Sequence, residues 1–151
     1  MKTRSSFVRL AARAIILHDD KLLLVNAFKG RDDLWCAPRG GAEPHQSLPE
    51  NLARKVFEET GLTVDVGAPC LVNEFHDPNG TFHQVEMFFR CTLMAGTLDS
   101  AWQDPEKIVT QRRWVTDDEL AALTVRPKSL AGVAWGETGA LVYDPLEPIL
   151  P

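Results

Sequence analysis

The sequence predicts a single-domain α/β protein, because segments with strand-like and helix-like patterns alternate along a chain of 151 residues. A chain of this length can bury about two thirds of its unfolded surface in one core without disulfides. Hydrophobic residues make up 44% of the sequence and charged residues 25%, which is typical of globular domains. We therefore expect one domain over residues 1–151, ending in an extended surface tail from about residue 144 that contains Pro145, Pro148 and Pro151.

The N-terminal segment carries basic residues ahead of an apolar stretch and so loosely resembles a targeting peptide. Arg13 interrupts that stretch, and the apolar run at residues 14–17 is too short for a signal-peptide core or a membrane span. Two strands explain the pattern better, one over Val8–Leu17 and one over Leu22–Val25, joined by the polar turn at residues 18–21.

Charge and cysteine content limit the classes of function. The formal net charge of −5 argues against broad binding to nucleic acid, so an anionic ligand would require a bound cation or a local basic cluster. Cys36, Cys70 and Cys91 are an odd number and are too widely spaced for a zinc site, which disfavours a disulfide framework. We expect a cytoplasmic protein that binds no membrane.

The segment after the Gly- and Pro-rich loop at residues 37–44 predicts a helix of about three turns. Ser47 can cap its start, Glu50 can complete a capping box, and Gly61 is a natural stop at its C-terminal end. An apolar stripe marks its buried face and consists of Leu52, Val56 and Phe57.

The second half of the chain predicts a long hairpin, a further strand and a short helix. Strands over Leu71–His76 and Phe82–Leu93 flank the turn sequence Asp77–Gly80, in which Pro and Asn-Gly favour reversal of the chain. Ile108–Val115 has the pattern of a strand, and a capping box that begins at Thr116 predicts a short helix.

The segment from Gly40 to Leu62 carries the most specific pattern in the sequence. It resembles the Nudix box, which is Gly, five residues, Glu, seven residues, Arg-Glu, an aliphatic residue, any residue, Glu-Glu, any residue, Gly and an aliphatic residue. Seven of its nine specified positions match, namely Gly40, Arg54, Val56, Glu58, Glu59, Gly61 and Leu62. Gln46 and Lys55 stand where the box has glutamates.

This resemblance implies a fold and a chemistry. It implies an α/β/α sandwich with a mixed β-sheet, a possible dimer of identical subunits, and hydrolysis of the diphosphate linkage of a nucleoside diphosphate joined to another moiety. It also implies a divalent cation held by Glu58, Glu59 and the backbone carbonyl of Gly40. Carboxylate and carbonyl oxygens are the ligands that Mg²⁺ and Mn²⁺ prefer. Arg54 lies one helical turn before Glu58 and can orient its carboxylate.

Lys55 leaves two structural alternatives open. Its ammonium can form an ion pair with Glu59 and replace the metal, or it can turn away so that Glu58 and Glu59 still bind one ion. Gln46 retains the shape of the missing glutamate and loses its charge. Three functions follow from these alternatives: a metal-dependent hydrolase, a catalytically degenerate nucleotide-binding module, and an interaction scaffold.

Residues outside the box offer further candidates. Arg39 can bind a substrate phosphate or can be a solvent-facing loop residue. Around the hairpin turn lie four residues that can supply a ligand or base, or form a polar face: Glu74, His76, His83 and Glu86. Glu86 is our choice as a supplementary metal ligand. Trp35, Phe75 and Phe82 can stack on a base, although aromatic residues of this kind belong more often to the core.

Overall fold

The protein is described by a computed structural model that covers residues 7–136, 139–144 and 146–148. The strands are β1 (Val8–His18), β2 (Lys21–Asn26), β3 (Trp35–Cys36), β4 (Arg39–Gly41), β5 (Thr63–His76), β6 (His83–Ala95), β7 (Arg112–Val115), β8 (Val125–Arg126), β9 (Val142–Tyr143) and β10 (Glu147–Pro148). The helices are α1 (Leu48–Thr60), α2 (Asp117–Ala121) and α3 (Leu130–Ala134).

The strands form one mixed sheet, whose main path runs β10-β5-β6-β1-β2-β3-β8. Strands β5 and β6 form the predicted antiparallel hairpin, and β6 then lies parallel to β1. Off this path, β4 pairs with β1, β7 with β2 and β9 with β5. The sheet thereby brings β4, which precedes helix α1, beside the central strand.

The two faces of the sheet bury separate apolar clusters. On one face, Ala12, Ala14 and Ile16 of β1 pack in a cluster with Leu52 and Val56 of α1. On the other face, a second cluster includes Ile15, Leu71, Phe88, Leu130 and Val133. Alternating residues of β1 point to opposite faces, so each face is covered by its own layer. This arrangement confirms the predicted α/β fold with a mixed sheet.

Helix α1 begins and ends where the sequence predicts. The hydroxyl of Ser47 accepts a hydrogen bond from the backbone N–H of Glu50 at 3.2 Å. Gly61 adopts φ 76° and donates its N–H to the carbonyl of Phe57 at 2.8 Å. Left-handed backbone is accessible to glycine without steric cost, which explains the stop at this residue.

The predicted strand over Ile108–Val115 is wrong in its first half, because β7 begins only at Arg112. The carboxylate of Asp104 accepts the N–H groups of Ile108 and Val109, at 3.1 and 2.9 Å. The side-chain oxygen of Asn26 accepts the next two N–H groups in the chain. The backbone N–H groups of residues 108–111 therefore bond to side-chain oxygens and are not free to pair with a neighbouring strand.

Two further segments differ in detail from the sequence expectations. The segment at residues 37–44, expected to be a loop, contains β4, whose residues pair with β1. In the expected tail, Glu147–Pro148 pairs with β5 in parallel, while Pro145 and Pro151 lie outside the described residues. Within the described ranges, every helix is too short or too polar to cross a membrane.

Candidate functional site

A cleft of about 270 Å³ opens between strand β4, helix α1 and the segment at residues 104–109. Its chemically active lining includes Arg39, Gly40, Lys55, Glu59, Asp104 and Glu106. Residues distant in sequence meet here because β4 pairs with the central strand and α1 packs against β4.

Glu59 lies in this cleft and is 9% exposed. Its Oε1 accepts one hydrogen bond, from the backbone N–H of Arg39 at 3.3 Å. Burial raises the pKa of Glu59 to about 8, and the charge of nearby Asp104 acts in the same direction. Without a cation, the carboxyl group therefore holds a proton at neutral pH.

Glu58, the next residue along α1, lies in a different environment. Its Oε2 accepts a hydrogen bond from Nη1 of Arg54 at 2.8 Å, which confirms the predicted contact across one helical turn. Arg54 also donates through Nη2 to Glu43 and to Gln46, at 2.8 and 3.2 Å. Gln46 therefore helps to position Arg54, and its neutral amide still supplies an acceptor.

Lys55 turns away from Glu59. Its Nζ lies 2.9 Å from Oε1 of Glu106 and 3.8 Å from Oε1 of Glu58. The predicted alternative of a Lys55–Glu59 ion pair is thus wrong, because the ammonium of Lys55 forms its ion pair with Glu106, which lies in a loop distant in sequence. The hydrogen bond to Glu106 also raises the pKa of Lys55, which stays charged.

Gly40 is needed for the close approach of β4 and α1. A Cβ atom at this position would lie 2.5 Å from Cγ and 2.9 Å from Cβ of Lys55. At the adjacent Gly41, a Cβ atom would have no heavy atom within 4 Å beyond its chain neighbours. Steric contact with Lys55 therefore explains why glycine is required at position 40 and not at position 41.

The loop before β7 is held against the end of α1 by contacts that the sequence analysis missed. Nε1 of Trp102 donates to the carbonyl of Glu58 at 2.8 Å, and its ring packs against Phe57 with centroids 5.2 Å apart. Asp104 is 5% exposed and accepts three backbone N–H groups of the same loop. The sequence Asp104-Pro105 is typical of a turn. No pattern of neighbouring residues predicts that this loop contacts α1 through Trp102.

Glu86 is fully buried, and its hydrogen bonds are to residues other than Glu59. Its Oε2 accepts hydrogen bonds from Nε of Arg13 at 2.8 Å and from Nε2 of Gln84 at 2.6 Å. Both members of the Arg13–Glu86 pair are almost fully buried. Oε1 of Glu86 is buried without a hydrogen-bond partner in the described structure. Glu86 as a supplementary metal ligand therefore stays a prediction, and the ion pair is its observed role.

The other predicted candidates occupy distinct places. Arg39 lines the cleft, whereas Glu74 and His83 contact each other on the hairpin at 3.5 Å. Trp35 and Phe75 are 5% and 2% exposed and belong to the core, as the sequence favours.

The donor atoms near Gly40 allow a test of whether a divalent cation fits. Glu58 and Glu59 supply two adjacent carboxylates, and Gly40 packs directly against their helix. In the part of the chain that the structure describes, no group of three His, Cys, Asp or Glu side chains forms a metal-binding cluster. The two carboxylates and the backbone carbonyl of Gly40 are oxygen donors of the kind that a hard divalent cation prefers.

The sequence of this chain is similar to those of known proteins. The sequence model of the NUDIX domain matches residues 8–135. Mouse Diphosphoinositol polyphosphate phosphohydrolase 3-alpha is 29% identical over 96 residues, which are 64% of this chain and 55% of that protein. Human Nucleoside diphosphate-linked moiety X motif 6 is 29% identical over 73 residues, which are 48% of this chain and 23% of that protein. The chain thus spans less than two thirds of either relative.

A comparison of structures agrees with the sequence match. The MutT protein from Bacillus halodurans superposes with a TM-score of 0.72 at 23% identity, covering 90% of this chain and 87% of that one. This likeness shows the shared fold. Together with the domain match over most of the sequence, it leads to one conclusion: the chain belongs to the Nudix hydrolase family.

Proposed function

We propose that the protein hydrolyses the diphosphate linkage of a nucleoside diphosphate joined to another moiety, with Mg²⁺ or Mn²⁺ as cofactor. The observation that carries this proposal is Glu59, a buried carboxyl group in the cleft beside Gly40 whose observed hydrogen bond is a single long one. The name of the human relative, Nucleoside diphosphate-linked moiety X motif 6, supports this substrate class.

The chain's own residues prepare the site in three ways. Arg54 fixes Glu58 through one nitrogen and anchors the preceding loop through the other, so the carboxylate is oriented before a ligand arrives. Glu59 is buried, which raises its pKa to about 8, so its carboxyl group is protonated at neutral pH in the metal-free protein. Arg39 lies at the cleft with its positive charge and can bind a phosphate oxygen.

Glu58, Glu59 and the backbone carbonyl of Gly40 would hold the cation. When bound, it would neutralise phosphate charge and make a water molecule more acidic.

The test is a hydrolysis panel with Mg²⁺ and Mn²⁺ that compares the wild-type protein with Glu59→Gln. The panel contains ADP-ribose, a nucleotide sugar, a dinucleoside polyphosphate and a nucleoside triphosphate. We expect turnover by the wild-type protein and a loss of at least about a hundredfold in Glu59→Gln, because the buried ligand loses its charge. Glu50→Gln on the exposed first turn is the matched control. Equal turnover by Glu59→Gln would remove Glu59 from the mechanism.

A second candidate function is favoured by the position of Lys55. Its ammonium neutralises Glu106 and lies near Glu58, so it weakens the attraction of the cleft for a cation. Under this proposal the protein binds a nucleotide without hydrolysing it. Metal-free nucleotide binding, combined with no turnover across the panel, would support this candidate over the hydrolase.

Two broader expectations remain proposals. The cysteines Cys36, Cys70 and Cys91 are free and buried, which supports a reducing, cytoplasmic location. A homodimer is the assembly that we expect from the family resemblance. Sedimentation at several protein concentrations would test it.

A further inference from the structure

A second cavity of about 250 Å³ adjoins the cleft, and both are lined by Arg9, Ala27, Arg39 and Gln84. Its remaining lining consists of Phe28, Phe75, Phe82 and Arg126. We refer to it as the arginine–phenylalanine cavity. A ligand in the cleft could therefore extend into it without crossing a protein wall.

Arg126 is held in place by aromatic rings. Its guanidinium carbon lies 4.5 Å from the ring centroid of Phe75 and 5.8 Å from that of Phe28. Nε of Arg126 is buried and has no hydrogen-bond partner in the described structure. A buried donor without an acceptor destabilises the protein. A ligand that supplies the acceptor would remove this cost and bind more tightly.

The positive charge of this cavity is not balanced by the protein. Across the described ranges, Arg9, Arg39 and Arg126 form no ion pair, unlike Arg13 and Arg54. Glu86 is the acidic residue that influences Arg126, and it is already bonded to Arg13. Three unpaired guanidinium groups around a small cavity, in a chain with a net charge of −5, indicate an anionic ligand.

A neutral aromatic ring fits this cavity less well. Phe75 is 2% exposed and one face of its ring is covered by Arg126, so it offers no open surface for stacking. A neutral base would also leave the guanidinium groups uncompensated, whereas phosphate oxygens match their planar donors.

We infer that the arginine–phenylalanine cavity binds a phosphoryl group that the substrate carries in addition to the diphosphate that is cleaved. The preferred substrate then carries at least one phosphate beyond the diphosphate that is cleaved. This inference rests on the proposed function, because it takes the neighbouring cleft as the place where the diphosphate binds.

The test measures binding to the metal-free protein in EDTA, where hydrolysis does not contribute. The probes are adenosine, ADP, and ADP with an additional phosphate on the 2′ or the 3′ hydroxyl. We expect the better of the two phosphorylated isomers to bind about tenfold or more tightly than ADP, because its extra phosphate can accept charge-assisted hydrogen bonds from the guanidinium groups. Adenosine should bind most weakly.

Two variants assign this advantage to the cavity. Arg126→Gln should reduce it to about twofold or less while the affinity for ADP stays nearly unchanged. Arg9→Gln should lower it too, and because Arg9 is exposed its substitution should leave folding intact. Arg113→Gln, outside the cavity, is the matched control and should retain the full advantage.

Three results would overturn the inference: equal binding of ADP and both isomers, adenosine binding as tightly as ADP, or no binding of any phosphorylated probe. The failure of the proposed function is a separate outcome. A protein that hydrolyses substrates without preferring the extra phosphate keeps its proposed function and loses this inference. A protein that prefers the extra phosphate but shows no turnover retains the cavity assignment and loses the hydrolase assignment.

Discussion

Adjacent glutamates in this protein differ because their surroundings differ. Glu58 is partly buried and contacts Arg54, whereas Glu59 is buried and its carboxyl group receives one hydrogen bond from a backbone N–H. Desolvation penalises the charged form of Glu59, and the long hydrogen bond does not compensate. The same residue type therefore forms an ion pair with Arg54 at one position and a buried, protonated carboxyl group at the next.

This difference predicts how the stability of the metal-free protein depends on pH. The pKa of Glu59 is about 8 in the folded state and has an ordinary value of 4.5. Because the folded state binds the proton more tightly, the stabilisation is complete below pH 4.5 and is lost as the pH rises through 8. We expect the free energy of unfolding of the wild-type protein, relative to Glu59→Gln, to fall between about pH 5 and 9.

The measurement is urea unfolding of both proteins in EDTA across that range. Subtracting the free energy of unfolding of Glu59→Gln removes the contribution of other titrating groups. A difference that stays constant with pH would show that Glu59 does not titrate as the structure indicates.

At the scale of elements, the site depends on how closely β4 and the 96–107 loop approach helix α1. Gly40 brings β4 against Lys55, and Trp102 ties the loop to the carbonyl of Glu58. Lys55 then joins helix and loop through Glu106. The cleft is therefore assembled by contacts between elements that are separate in sequence.

Two neighbouring glycines provide a matched test of the β4–α1 contact. Gly40→Ala should lower the free energy of unfolding by about 1–3 kcal/mol, since the added methyl group overlaps the side chain of Lys55. Gly41→Ala adds the same group in open space and should change stability by less than about 0.5 kcal/mol. Urea unfolding of the two variants measures this, and equal effects would contradict the proposed contact.

The substitution Lys55→Glu tests whether the cleft retains its cation site. It restores a carboxylate beside Glu58 and Glu59, so the affinity for Mn²⁺ should rise. Without metal, stability should fall by about 1 kcal/mol, because the new charge faces Glu106 and Glu58.

Calorimetric Mn²⁺ titration and metal-free melting would show both effects. Lys55→Gln is the control that removes the positive charge without adding a negative one, and its gain in Mn²⁺ affinity should be smaller. If Lys55→Glu shows no detectable Mn²⁺ binding, the cleft has lost its metal geometry more widely than at this residue.

At the scale of the whole molecule, one buried ion pair connects the central strands. Arg13 of β1 donates to Glu86 of the neighbouring β6 and, through Nη1, to the carbonyl of Ala37 at 2.7 Å. It therefore links the sheet to the segment that leads to β4. Charged groups in such positions are costly to bury and are strongly destabilising when one partner is removed.

A double-mutant cycle would measure this link. Arg13→Met should lower the free energy of unfolding by about 3–5 kcal/mol, because Glu86 is left buried without its cation. Adding Glu86→Leu should recover much of that loss, because the uncompensated charge is removed with its partner. Urea unfolding of the single and double variants gives the coupling energy, and additive losses would contradict the role of the pair.

The sequence alone determined the elements whose signals are local. Caps at Ser47 and Thr116, the stop at Gly61 and the turn at Asp77–Gly80 depend on neighbouring residues, and the structure contains all of them. The residues from Gly40 to Leu62 pointed to the family through their resemblance to the Nudix box. The contact between Arg54 and Glu58 was predictable because residues four apart share one face of a helix.

Tertiary structure decided what depends on residues distant in the chain. Lys55 pairs with Glu106 rather than Glu59 because the loop anchored by Trp102 brings a second carboxylate to the helix, across 51 positions of sequence. Arg13 and Glu86 are 73 positions apart, and only the parallel pairing of β1 with β6 makes them partners. Electrostatic interactions and burial depend on distances in the folded protein. The sequence pattern therefore predicts which residues belong to the site but does not predict which residues they contact.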